Sequence, residues 1–285
     1  MNHALHSPAP HQRLVSGRPV ELRPGRHLNL VVHEGGEQAD VAVFLCHGAG
    51  GNKNQWRNQW RLLTSLGYRV IAWDFAGHGE TKSPRHAPHY AGCELVEDYL
   101  AIIERYGARR NVLVGHSYGS RLTLCVLLAL SAAGRLHQVD RAMLLGAPPP
   151  VRSLGLGPIA TWPLPVLALM RPLLSRSFNK LAWHESADRD LVAYEDRQTR
   201  GNSFFMMKAL MTQTAPLEAS RLAELDLPIL LLTGAADALT PPAGAEALAR
   251  FLPQARLEVL EDCGHQVMLE KPGETNALIR GFIGC

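Results

Sequence analysis

No stretch of the 285 residues reaches the roughly 18 consecutive apolar residues that a membrane-spanning helix needs. Charge of one sign is equally scarce. The 29 Lys and Arg nearly balance the 26 Asp and Glu, leaving a formal net charge of +3. With no dense Lys/Arg run either, a dedicated nucleic-acid binder is excluded. Cysteine is sparse and odd in number: Cys46, Cys93, Cys125, Cys263 and Cys285 are widely spaced, and no C-x-x-C pair occurs. That pattern argues against a disulfide framework, and Cys46 and Cys125, set inside apolar runs, read as small hydrophobes. A reducing, cytoplasmic setting is therefore expected. Residues 1–24 mix His, Pro, Ser and Arg without the apolar stretch of a secretory signal, so a partly ordered tail is expected there. His3, His6 and His11 within it read as scattered surface histidines rather than a metal-binding tract.

What is present is a globular balance, 46% apolar and 19% charged, on a chain long enough for one large core with an insertion. Residues 28–32 and 41–46 read as strands separated by the turn-forming Glu34-Gly35-Gly36-Glu37. The second is nearly all apolar, as a strand covered on both faces should be. A helical pattern over 54–66 follows, with Trp56, Trp60 and Leu63 on one face. Residues 68–73 read as a strand and 92–106 as a helix. An apolar run at 112–114 leads into a turn and a helix, and 141–146 is a further buried strand. The alternation stops at Ala147-Pro148-Pro149-Pro150, and 148–222 reads as a helical insertion punctuated by proline. It resumes with a strand at 227–233, a helix at 243–251, a strand at 257–260 and a closing helix at 274–283. Strands alternating with helices predict an α/β fold with a mostly parallel sheet.

The apolar run at 112–114 ends in Gly115-His116-Ser117-Tyr118-Gly119, a serine at the apex of a strand–turn–helix. Such a turn forces the serine into a sparsely allowed backbone region beside the free N–H groups of a helix N-terminus. A serine hydroxyl is a poor nucleophile near neutral pH and requires a base, which in turn requires an orienting carboxylate. In a parallel sheet, groups that meet lie beyond the carboxyl ends of the strands. Of the 13 histidines, His265 follows the final strand; Asp237 follows the strand at 227–233. The order Ser117, Asp237, His265 suits a nucleophile, acid and base of this architecture. Asp237 also suits a turn ahead of Thr240-Pro241-Pro242, and His265 an ordinary loop histidine. Asp262 is a rival acid, poorly placed because it shares the loop of His265.

A developing oxyanion needs donors, commonly backbone N–H groups. Tyr118, directly after the serine, and Ala49, in His47-Gly48-Ala49-Gly50-Gly51, are the candidates. The glycines of that loop also suit a phosphate cradle, but the P-loop lysine is missing from its place. His47, His78 and His116 all fall in loops at strand ends; without flanking Cys or Asp, a zinc site is not expected.

These motifs, together with Asp74-Phe75-Ala76-Gly77-His78-Gly79, Gly234-Ala235-Ala236-Asp237 and Gly264-His265, resemble the α/β-hydrolase superfamily from about residue 28 onward. More narrowly, the segments 105–112, 201–205 and 264–270 are similar to the group of abhydrolase domain-containing protein 8 and its bacterial relatives. The resemblance implies an α/β-hydrolase fold, with a core at 25–147 and 223–285 and a helical cap at 148–222. It implies a serine esterase, lipase, amidase or thioesterase-like hydrolase with no cofactor. Dehalogenase and epoxide hydrolase relatives carry Asp at the nucleophile position, against which Ser117 argues. Acyltransferase relatives carry His-x4-Asp; here the run from His265 ends in Glu270.

The expected substrate is a small-molecule apolar ester or thioester, lipid-like or a small carboxylic ester, met by His47 and Gly48 of the oxyanion loop and by Phe204, Phe205 and Met207 of the cap. Residues 159–170 and the run Phe204-Phe205-Met206-Met207 are strongly apolar. They suit packing of cap on core, and also a peripheral membrane contact through the cap. A monomer or weak dimer is expected. Alternative functions are a catalytically silent ligand receptor or protein-binding module, an acyltransferase, and a C–C bond hydrolase.

Overall fold

Strand β3 divides the sheet. The computed structural model describes residues 16–150 and 161–284. The first two strands of these are β1 (Arg18–Arg23) and β2 (Arg26–His33), followed by β3 (Gln38–Cys46). Residues 41–46 of β3 are all apolar and buried. Side chains alternate across a strand, so Val41, Val43 and Leu45 join one hydrophobic cluster while Ala42, Phe44 and Cys46 join a second. With both faces covered, neither set is free to be polar.

On one side β3 pairs in parallel with β4 (Tyr68–Asp74), on the other with β5 (Arg110–His116). Next to β5 lie β6 (Arg141–Leu145), β7 (Ile229–Gly234) and β8 (Ala255–Leu260), all parallel. β2 pairs antiparallel with β4, and β1 antiparallel with β2, giving the order β1-β2-β4-β3-β5-β6-β7-β8. The chain leaves β3 toward β4 and returns on the opposite side of β3 as β5. Such a switch opens a crevice beyond the strand ends, where ligands bind in open α/β sheets.

Helices cover both faces. α1 (Arg57–Ser65) contributes Leu63 to the cluster containing Val43, whereas α2 (Gly92–Tyr106) and α3 (Tyr118–Ala132) contribute Tyr99 and Leu122 to the cluster containing Phe44. Between β6 and β7 come α4 (Leu164–Leu169), α5 (Arg171–Ala182), α6 (Arg189–Thr199) and α7 (Phe204–Thr212), with no strand among the described residues. α8 (Pro242–Ala249), α9 (Val267–Glu270) and α10 (Pro272–Ile283) complete the chain. The helical segment is pinned to the sheet layers by Met206 and Leu210, both fully buried, and by an ion pair of 2.7 Å between the buried Arg57 and Glu195.

One expectation needs correcting. Residues 18–23, assigned to the tail, form edge strand β1, in register with Val20 opposite Leu28. Only Val20 and Leu22 are apolar there, and Pro19 is tolerated because an edge strand can spare an N–H. The hairpin is fastened to α2, where buried Asp98 accepts from Arg26 at 2.6 Å and from Arg23 at 2.8 Å. The remainder of the expected tail, residues 1–15, and residues 151–160 lie outside the described residues. Among the described residues no helix is long and apolar enough to cross a membrane.

Candidate active site

Ser117 sits between the end of β5 and the start of α3 with φ 53° and ψ −114°. A non-glycine residue held there stores about 1–3 kcal/mol of strain, which surrounding bonds must over-determine. They do. The Ser117 N–H donates to the Leu145 carbonyl at 2.8 Å, and the Ser120 hydroxyl lies 2.8 Å from the Gly115 carbonyl oxygen. Helix α3 also has to start against the end of β3: a Cβ on Gly119 would stand 2.4 Å from the Cys46 carbonyl oxygen. Glycine alone permits that approach.

The loop after β3 runs past the serine. A Cβ on Gly48 would be 3.2 Å from the Ser117 Cβ, so the backbone of 48–49 lies against the nucleophile candidate. Two histidines shape this loop from behind. His47 is fully buried, its Nδ1 donating to the Gly48 carbonyl at 2.7 Å and its Nε2 accepting from the Phe75 N–H at 3.1 Å. His78, equally buried, donates from Nδ1 to Ala76 at 3.0 Å and accepts at Nε2 from the Gly50 N–H at 3.1 Å. Burial drives the His47 imidazole well below its ordinary pKa and His78 down to about 4, so both rings are neutral at pH 7. His47 was expected to touch substrate. In the structure both of its nitrogens are committed to backbone, so it braces the loop.

The candidate base and acid meet as a pair. His265 Nδ1 lies 2.7 Å from Asp237 Oδ2, and both side chains are buried. Burial pushes the Asp237 carboxyl upward, but hydrogen bonding to His265, the electrostatic pull of that ring and donors from Thr240 outweigh it and hold it below the usual carboxylate range. Asp237 Oδ1 accepts the N–H groups of Leu239 at 2.9 Å and Thr240 at 2.8 Å, and the Thr240 hydroxyl lies 2.7 Å from Oδ2. The rival acid Asp262 is exposed in a left-handed turn with φ 49°. An Nδ1–H held by a carboxylate leaves Nε2 as the acceptor, the tautomer a general base needs.

His116, one residue before the serine, closes the arrangement. Its ring centroid is 4.7 Å from that of His265, and its Nε2 donates to the His265 carbonyl oxygen at 3.0 Å. Burial, and then the nearby His265, push its pKa down to about 3. The sequence offered His116 only as a loop histidine and Thr240 only as part of a turn; a Thr three residues after an Asp is a common turn pattern, so nothing there marks a further role.

The expected cap contacts fall in different places. Met207 approaches the loop after β3: its Sδ would be 3.7 Å from a Cβ on Gly50, whose carbonyl also accepts from Asn202 Nδ2 at 2.5 Å. Phe204 is half-buried beneath the Arg171 guanidinium, 4.3 Å from its ring centroid. Phe205 is half-buried with its ring edge-on to Tyr90 at 6.2 Å. Met206, rather than either phenylalanine, is the member of this run sunk fully into the core.

Comparison with known proteins follows the same lines. The family model described as "Alpha/beta hydrolase family" matches residues 43–278. The chain is 35% identical over 250 residues to Protein ABHD8 of Mus musculus, covering 87% of this chain and 56% of that protein. It thus spans about half the length of the curated relatives it matches. An esterase (EaEST) from Exiguobacterium antarcticum shares the fold with a TM-score of 0.80 at 20% identity, covering 94% of this chain and 100% of that one. A thermophilic esterase from Thermogutta terrifontis does so with a TM-score of 0.75 at 22% identity, covering 95% and 98%.

Proposed function

From the premise that the chain belongs to the alpha/beta hydrolase family, we propose that it is a serine hydrolase that cleaves an apolar ester or thioester through an acyl-enzyme. The observation that carries this reading is the buried 2.7 Å bond from His265 Nδ1 to Asp237 Oδ2, with Ser117, held at φ 53°, next in the chain to His116, whose ring lies 4.7 Å from that of His265. His265 Nε2 takes the proton from the Ser117 hydroxyl as its oxygen attacks the acyl carbon. Asp237 holds the tautomer and stabilises the imidazolium that forms. The Ala49 and Tyr118 N–H groups receive the oxyanion. His265 then protonates the departing alcohol or thiol, and water, deprotonated by the same imidazole, releases the acid and restores Ser117.

We read residues 148–222 as the cap over this centre. Its acyl side is apolar, supported by Met207 against Gly50 and by Phe204 and Phe205 at the start of α7. Its outer face, on α4 and α5, exposes Val166, Leu169 and Leu173. The exposed Arg176 and Lys180 lie among them, and residues 161–183 contain no acidic side chain. That combination supports a peripheral contact with an anionic lipid surface, from which an apolar substrate would enter. Vesicles of phosphatidylcholine with phosphatidylglycerol should co-sediment the protein, and Leu169→Asp with Leu173→Asp should abolish it; unchanged sedimentation of that variant refutes the contact.

A panel of p-nitrophenyl esters of graded acyl length, run on the parent and on Ser117→Ala, tests the chemistry. The expected result is turnover that rises with acyl length and is lost in the variant. Turnover that survives the substitution means another nucleophile acts.

A further inference from the structure

Glu270 was legible in the sequence only as a carboxylate five residues after His265. Its side chain reaches back over that loop. Oε1 accepts the Gln266 N–H at 3.0 Å, and Oε2 accepts the Gly264 N–H at 3.1 Å. These are the two residues flanking the base. Oε2 also accepts the N–H of His184, at 2.9 Å, from just beyond the C-terminal end of α5. One carboxylate thus binds both shoulders of His265 and the helical insertion together.

The insertion touches the base directly as well. The Ala182 carbonyl oxygen accepts the His265 N–H at 2.8 Å, and the Leu181 carbonyl oxygen accepts the N–H of Ala238, next to Asp237, at 3.3 Å. The approach is too close for a side chain. A Cβ on Gly264 would stand 2.7 Å from the His184 nitrogen and 2.8 Å from the Ala182 oxygen. With His116 on its carbonyl, both backbone polar groups of His265 are fixed, the N–H by the insertion and the C=O by the residue before the serine.

We propose that Glu270 is a positioning residue for His265 and that it couples the base to the α5 end of the insertion, so that the cap and the triad are aligned as one unit. This role rests on the assignment of Ser117 and His265 proposed above. The physical reason is the geometry an ionised carboxylate supplies. It is an acceptor at both oxygens, so it can take N–H groups from 264 and 266 at once. A glutamine keeps the volume but turns one oxygen into a donor that faces another donor. The His265 loop then loses one shoulder, and the imidazole loses register with the Ser117 hydroxyl. Misplacement on the order of 1 Å costs roughly 10²-fold in rate.

The test is the second-order rate constant for labelling of Ser117 by a fluorophosphonate, with stoichiometry by intact mass, in the parent, Glu270→Gln and Glu270→Asp. Stoichiometry reports the folded fraction and the rate constant reports alignment, so a merely structural role lowers only the first. The expected result is full stoichiometry with labelling slowed roughly 10²-fold in Glu270→Gln and by less in Glu270→Asp, whose shorter carboxylate keeps some of the bonds. Parent-rate labelling of folded Glu270→Gln overturns the proposal. Amide hydrogen exchange serves as a readout free of catalysis. Exchange at 264, 266 and 184 should accelerate together in Glu270→Gln, and unchanged protection at 264 and 266 overturns the proposal too. A parent that exchanges as expected but takes no label rejects the serine hydrolase reading instead.

Discussion

His116 Nε2 donates to the His265 carbonyl at 3.0 Å while the two rings lie 4.7 Å apart. The donation requires Nε2–H, and burial requires the ring to be neutral, with its pKa driven down to about 3. The sign of the pH dependence follows. A histidine depressed in the folded state binds its proton only after unfolding, so the stability tied to its neutral form is full above about pH 6.5 and drains away as pH falls toward the folded value. His78, at about 4, and His47, held well below its ordinary value by burial, act in the same direction.

Each such proton steepens the loss by about 1.4 kcal/mol per pH unit below the unfolded value. Urea unfolding between pH 7 and pH 5 should therefore show a marked fall in stability. His116→Phe should be destabilised at pH 7 by about 1–3 kcal/mol through the orphaned carbonyl, yet should fall less steeply with acid than the parent. A parallel pair of curves contradicts the neutral, donating His116.

Thr240 bridges Asp237 and His265. Its hydroxyl lies 2.7 Å from Asp237 Oδ2, 3.0 Å from the Gly146 carbonyl oxygen and 3.1 Å from His265 Nδ1. Thr240→Val keeps the shape and removes this hydroxyl. Asp237 still has His265 and two backbone N–H groups, so kcat should fall by roughly tenfold, about 1.4 kcal/mol of transition-state stabilisation, with KM within twofold. Asp237→Asn, which removes the charge and the tautomer control, should cost on the order of 10⁴-fold in kcat. Steady-state kinetics on one chromogenic ester separate the two. Equal losses would mean that Thr240 does more than support Asp237.

Arg57 and Glu195 join α1 to α6 at 2.7 Å with both side chains buried, and the guanidinium lies 5.2 Å from the Tyr194 ring centroid. Glu195→Ala leaves a buried cation short of its counter-charge and should lower unfolding stability by about 3–5 kcal/mol. The double substitution Arg57→Met with Glu195→Leu should recover most of that loss. Denaturant midpoints at constant m-value decide it; a double variant no more stable than the single would show that the pair contributes through packing rather than charge.

Much of this centre could be read from residue order because its chemistry sits where apolar runs end. Ser117 and Asp237 each follow a strand that the sequence marks with consecutive apolar, buried side chains, whereas β8, before His265, buries only Leu260; Asp237 and His265 are in contact. β1 was missed because its residues 18–23 carry only Val20 and Leu22 as apolar signal. The second antiparallel partner of β2 was hidden for a different reason: it is β4, beyond β3 in the chain. His47 and Glu270 act on backbone N–H and C=O groups. Those groups are the same in every residue, so such pairings leave no periodicity and no motif to find.

The central claim is that Ser117 is the nucleophile of a working triad. Intact-mass analysis of folded protein treated with a fluorophosphonate tests it most directly, with peptide mapping of the modified residue. The account predicts one adduct per chain, carried by Ser117, absent from Ser117→Ala and slowed by orders of magnitude in His265→Ala. An unmodified parent, or an adduct on any other residue, contradicts it.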